Sequence, residues 1–265
     1  MSTAPRPVEP PPAVAVPQRA DYGIDAPPVV RNLLFGGAAG LITAAVIHAL
    51  GADQGAGLLR ALARTGLFAG LSWILTALHM IYGSRVRKLR LRDRLLDELA
   101  LRGGERVLDV GCGRGLMLIG AALRLSRGRA VGIDLWQTAD QSGNSESTTR
   151  KNAAAEGVAD RIELHTSDAR RLPFADESFD VILSTWALHN IPDAAGRARA
   201  VREIARVLAP GGRVLIVDIQ HSRAYVRELR AAGFTDARRR LASLLFVLPS
   251  FRVDASKPFT DPRAP

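Results

Sequence analysis

The seven residues Asp109-Val-Gly-Cys-Gly-Arg-Gly115 are the densest candidate for ligand chemistry in the chain. Glycines at 111, 113 and 115 let the backbone turn sharply and approach a ligand closely. An apolar, strand-like stretch, Arg106-Val-Leu-Asp-Val110, precedes the run, and a helical pattern follows it. The first turn of that helix offers N–H groups that have no partner inside the helix. Such a loop can bind a dinucleotide or can simply be a tight turn. A nicotinamide fingerprint would place its third glycine at position 116, where Leu116 stands instead.

Two carboxylates extend this set. Asp134 ends the stretch Ala130-Val-Gly-Ile-Asp134. A carboxylate has two acceptor oxygens and can take both hydroxyls of a ribose, or it can cap the end of a strand. Leu135 or Trp136 beside it could pack on an adenine. In Ser167-Asp168-Ala169, the second carboxylate could accept a hydrogen bond from an exocyclic amine or cap its own turn. Further along stand Trp186, His189, Asn190 and His221. An imidazole is largely neutral near pH 7, so His189 could take a proton from a hydroxyl or an acidic carbon. Its other reading is a loop residue held by hydrogen bonds.

These positions require a parallel sheet. From Glu105 onward, strand-like and helix-like stretches alternate, which predicts parallel strands covered by helices. Strands are expected at 106–110, 130–134, 161–165, 179–185 and 214–218. Helices are expected near 115–125, 147–156, 194–208 and 223–232, and two further strands between Ala237 and Ser256. Both carboxylates and the glycine loop then fall at the carboxyl ends of strands.

The ordered motifs resemble those of the class I S-adenosylmethionine (SAM)-dependent methyltransferases. They include Val107–Gly115, Gly132-Ile-Asp134, Asp168, Arg171-Leu-Pro-Phe174, Phe179-Asp180, Leu188-His-Asn-Ile191 and Leu208-Ala-Pro-Gly-Gly-Arg213. The resemblance runs from about Leu95 to Pro258 and is strongest to the branch holding quinone-biosynthesis and small-molecule enzymes. It implies a Rossmann-like, doubly wound α/β sheet of seven strands, the last two an antiparallel hairpin. It also implies SAM as cofactor, with Asp109, Gly111, Cys112, Gly113 and Gly115 along its methionine part. Asp134 would hold the ribose, Asp168 and Ala169 the adenine, and Leu135 and Ser184 would complete the cofactor-binding set. Methyl transfer needs positioning more than a fixed catalytic triad, so His189 is the single candidate base. Two features depart from the family pattern: the N-terminal apolar region and the long polar loop Trp136–Ser145.

Composition places the rest. The 265 residues carry 36 Lys and Arg against 26 Asp and Glu, a net charge of +10, which suits an anionic partner such as nucleic acid or a membrane surface. Cys112 is the only cysteine, so the sequence allows no internal disulfide and suggests no metal site. Residues 1–28, rich in Pro and Ala, read as a disordered tail. Asn32–Ala52 and Thr65–Ser84 lack Asp, Glu, Lys and Arg, and each is long enough to span a bilayer as a helix. Residues 29–84 therefore read as a transmembrane hairpin with close-packing Gly36, Gly37 and Gly40. Two buried helices of a soluble domain are the other reading. Residues 85–104 form a basic juxtamembrane helix with Arg85, Arg87, Lys88, Arg90, Arg92 and Arg94. By the positive-inside rule this side faces the cytoplasm, and the run suits anionic headgroups better than nucleic acid. The catalytic domain is expected over 105–258, with a short tail at 259–265. The expected acceptor is a small molecule or a lipid-like compound at the membrane. The alternatives are a SAM-binding scaffold without catalysis and a nicotinamide-dependent oxidoreductase, which the glycine spacing disfavours.

Overall fold

Runs of Val, Ile and Leu bounded by glycine and charged residues become strands, as β-branched side chains favour. The computed structural model describes residues 19–52, 54, 57–137, 143–244 and 249–259. The strands are β1 (Arg106–Val110), β2 (Arg129–Asp134), β3 (Ile162–Thr166), β4 (Phe179–Thr185), β5 (Leu208–Asp218), β6 (Arg238–Ser243) and β7 (Ser250–Ser256). They form one sheet in the order β3-β2-β1-β4-β5-β7-β6. The first five run parallel, and β7 lies antiparallel between β5 and β6. This is the seven-stranded arrangement that the sequence motifs implied.

The pleat divides the core in two. Val107, Val181 and Leu215 face one layer with Leu95, Leu96, Leu118 and Ile119, while Leu108, Ile182 and Ile216 face the other with Ile204, Tyr225 and Phe234. Successive side chains alternate between faces, and burial of both faces explains the consecutive apolar residues in the middle of these strands. The covering helices are α3 (Lys88–Leu99) and α4 (Leu116–Ala122) on the first layer. On the second are α6 (Ala194–Val207) and α7 (Ser222–Ala231). Helix α5 (Glu146–Ala155) is capped by Ser145, whose hydroxyl accepts from the Thr148 N–H.

Ahead of the sheet stand two long helices, α1 (Pro27–Ala49) and α2 (Gly57–Tyr82). Each is long and apolar enough to cross a membrane. They touch through glycines. A Cβ at Gly40 would lie 2.8 Å from the Gly66 carbonyl oxygen, and one at Gly70 only 2.7 Å from that of Gly37. No side chain fits there, so the backbones approach as small-residue helix pairs do in lipid. Their outer faces leave Phe35, Ile42, Leu58, Phe68 and Leu75 each more than 60% exposed.

A π-helical turn, Gly83–Arg87, joins α2 to α3 without a break. Helix α3 is more than a basic linker: Leu91, Leu95, Leu96 and Leu99 are buried in the sheet's first layer. Two of its cations also turn inward. Lys88 is 2% exposed and Arg92 9%, so neither can meet a headgroup; Arg85, Arg90 and Arg94 remain exposed.

Residues 19–26 correct the expectation of a tail reaching Pro28. They form a strap laid on the sheet domain. The Asp21 N–H donates to Asn152, the Asn152 amide returns a bond to the Asp21 carbonyl, and Arg114 pairs with the Asp21 carboxylate at 2.8 Å. Lys88 donates to the carbonyls of Tyr22 and Gly23 and to the Asp25 carboxylate. Composition could not show this, because it follows from partners far along the chain. Residues 1–18 and 260–265 of the expected tails lie outside the described residues.

Candidate functional site

At the carboxyl edge of β1, the glycine loop turns back on the sheet. The N–H groups of Gly111 and Cys112 both donate to the Ile133 carbonyl, at 2.9 and 3.0 Å. Gly111 has φ +75°, and a Cβ there would lie 2.2 Å from the Ala187 methyl group. Both facts require glycine. Gly111, Cys112 and Gly113 line a cavity of about 1020 Å³. Gly115 stands behind it, buried against Ile119 and Thr149 as the residue that opens α4; its part is to shape the loop.

Asp134 ends β2 and faces the same cavity. One carboxylate oxygen accepts from the Gly113 N–H at 2.8 Å, and the other from the Trp136 N–H at 2.7 Å and the Asn144 amide at 3.1 Å. These bonds fix the carboxylate plane while leaving acceptor capacity for a ligand. Leu135 lines the cavity, whereas Trp136 packs on the core and donates its indole N–H to Thr166. Asp109, 2% exposed, lies beneath the loop. Burial pushes its carboxyl up to about 7, against a hydrogen bond from the Leu118 N–H.

Asp168 and Ala169 also line the cavity. The Asp168 carboxylate is held by Arg170 at 2.5 Å, which keeps it below its ordinary range. The sequence reading missed Arg170, although an acid and a base two residues apart on a turn is a visible signal. Ser184 departs from its expected place. It is 1% exposed, and its hydroxyl donates to the Val110 carbonyl inside the sheet. The two-residue period of a strand puts its neighbour Thr185 in the cavity wall instead.

Across the cavity stand Trp186, His189 and Asn190. Trp186 adopts φ +52° as the chain leaves β4, and its indole N–H donates to Ser250. His189 Nδ1 lies 2.6 Å from Oδ1 of Asp218 at the end of β5, off the line of a hydrogen bond. Asp218, fully buried, also accepts from the His189 N–H and the Tyr225 hydroxyl. The sequence reading did not single out Asp218; it ends the fifth strand as Asp134 ends the second. His221 does not line the cavity and serves as the residue before α7.

A family model for the methyltransferase domain matches residues 108–216, from the strand beneath the glycine loop to β5. This part of the chain is a class I SAM-dependent methyltransferase domain. Methyltransferase GfsG of Streptomyces halstedii is 38% identical over 130 residues, 49% of this chain and 43% of that protein. A demethylmenaquinone methyltransferase of Symbiobacterium thermophilum is 33% identical over 161 residues, 60% of each chain. The chain thus spans about half the length of the curated relatives it matches. A solved SAM-dependent methyltransferase from Aquifex aeolicus shares the fold, with a TM-score of 0.50 and 20% identity over 62% of this chain and 88% of that one.

SAM is the cofactor of such a domain, and the donor set of the methyltransferase domain fits it. Two side-chain oxygens in the cavity wall, Asn144 Oδ1 and Thr185 Oγ1, are buried without a hydrogen-bond partner. Buried polar atoms in that state are costly unless a ligand or water meets them. Asn144 comes from the polar loop whose role the sequence left open, and it stands beside Asp134, where ribose hydroxyls would lie.

Proposed function

We propose that this protein transfers a methyl group from SAM to a small, membrane-associated acceptor, from a domain tethered by the α1–α2 hairpin. One observation carries the reading: a single cavity joins the glycine loop, Asp134 and Asp168 to His189 and Asn190. SAM supplies, when bound, a methyl group made electrophilic by its sulfonium. Asp109 and the 111–113 loop hold its methionine end, Asp134 with Asn144 its ribose, and Asp168 with Ala169 its adenine side. The walls exclude water and hold the acceptor in line. Positioning of this kind can supply roughly 7–11 kcal/mol of a barrier. His189 takes the acceptor's proton at Nε2, because its Nδ1 faces Asp218. Asp218 stabilises the resulting imidazolium.

The tether is supported by the length and apolar outer faces of both helices and by exposed Arg85 and Arg90 at their foot. By the positive-inside rule, that charge supports a cytoplasmic side for the domain. Similarity to a demethylmenaquinone methyltransferase supports an acceptor of quinone or other small-molecule type.

The test uses the full chain in lipid nanodiscs with methyl-labelled SAM, offered a lipid extract and an aqueous extract of its native cells. Label should enter a product of the lipid extract, and Asp134→Ala should reduce that transfer at least about tenfold, a loss of about 1.4 kcal/mol. Absence of product in both extracts would overturn the activity. Product in the aqueous extract alone would overturn the membrane-associated acceptor.

A further inference from the structure

The hairpin also forms part of the cavity wall. Val29 and Leu33 of α1, with Thr76 and Met80 of α2, line the same cavity as the glycine loop and His189. On α2 a second, shallower groove is lined by Phe68, Leu71, Ser72, Leu75, Thr76 and His79. That spacing of three and four residues is one face of a helix. Thr76 belongs to both hollows. Its hydroxyl donates to the Ser72 carbonyl at 2.8 Å, so the junction presents a methyl group. From Met80 to Phe68 the track is about 18 Å long at the helical rise. It begins at the cavity that holds the carboxylates and His189 and runs along the apolar hairpin.

We propose that this track binds the apolar chain of an amphiphilic acceptor, with the polar, methyl-accepting end beside His189, and that Thr76 is the gate between them. The proposal rests on the methyl-transfer reading only for what happens at the polar end. The occupant is a single linear chain, because the groove is one helix face wide and is continuous with a site that takes a small polar group. A second copy of α2 would cover the groove equally well from outside, but it would leave the opening at Thr76 and Met80 unused. Specificity for chain length then resides in the hairpin, outside the methyltransferase fold.

The test is a positional ruler on the full chain in nanodiscs. The probes are 4-butylphenol and 4-tetradecylphenol, each with a photoreactive diazirine at the chain end, and adducts are mapped by mass spectrometry. The butyl probe should mark Leu33 and Met80, and the tetradecyl probe Leu71 and Phe68. Thr76→Trp should abolish the adducts at Leu71 and Phe68, and Ser72→Trp should abolish those at Phe68. Leu78→Trp, an exposed position outside the groove, should change neither pattern. Adduct positions independent of chain length, or unmoved by both groove substitutions, would overturn the proposal. Calorimetry with SAM on the same preparation separates the two readings. Length-dependent adducts without SAM binding would sink methyl transfer and leave the track standing.

Discussion

Asp109 shows how a single residue can couple the cofactor site to pH. Its carboxyl, pushed up to about 7 by burial, is neutral in acid and ionised in mild alkali. The unfolded chain loses this proton first, near the ordinary carboxylate value. The residue therefore favours the fold below that value, and its contribution falls away as pH rises through 7. SAM carries positive charge on its sulfonium and ammonium groups, so the ionised form binds it better. Affinity should rise roughly tenfold between about pH 6 and about pH 8 by this linkage, and calorimetry should find the slope flattened in Asp109→Asn. A slope unchanged by the substitution would place the titrating group elsewhere. Across the cavity, Asp218 lies against His189, the base proposed above. Asp218→Asn should lower kcat by about a hundredfold, within the usual range for general-base catalysis, and leave SAM affinity near that of the native chain. A parallel loss of SAM affinity would mean that Asp218 only supports the loop.

At the scale of elements, the strap at 19–26 is the unexpected component. Lys88 holds it with three hydrogen bonds from inside the domain, and burial lowers its pKa. In Lys88→Met, two carbonyls and a carboxylate lose their donor, at a cost of about 1–3 kcal/mol. The melting temperature should fall, and trypsin should gain access to Arg19. Protection of Arg19 equal to the native chain's would show that Asp21 and Asn152 hold the strap alone. The strap's residues Tyr22 and Asp25 line the cavity, so its release should also loosen the cofactor site.

Taken whole, the molecule is continuous across residue 105, because α3 and the strap pack on the sheet domain. A chain beginning at Leu89 would keep every methyltransferase motif, yet it would lack Tyr22, Asp25 and Lys88 from the cavity wall. It should bind SAM at least about tenfold more weakly than the full chain, about 1.4 kcal/mol, measured by calorimetry on both. Equal affinity would show that the strap and hairpin contribute nothing to the cofactor site.

The sequence by itself determined the five parallel strands, the loop at 109–115, the acidic positions 134 and 168, and the paired apolar helices. Those features rest on local periodicity and on residue types whose geometry is nearly independent of context. Tertiary structure decided which of two neighbouring side chains, Ser184 or Thr185, enters the cavity, because pleat register is set by pairing with β1 and β5. It also set His189 against Asp218, turned Lys88 and Arg92 inward, and brought the hairpin groove to the cavity of the glycine loop at Thr76. Each of these depends on residues tens of positions apart meeting in space, which no local pattern encodes.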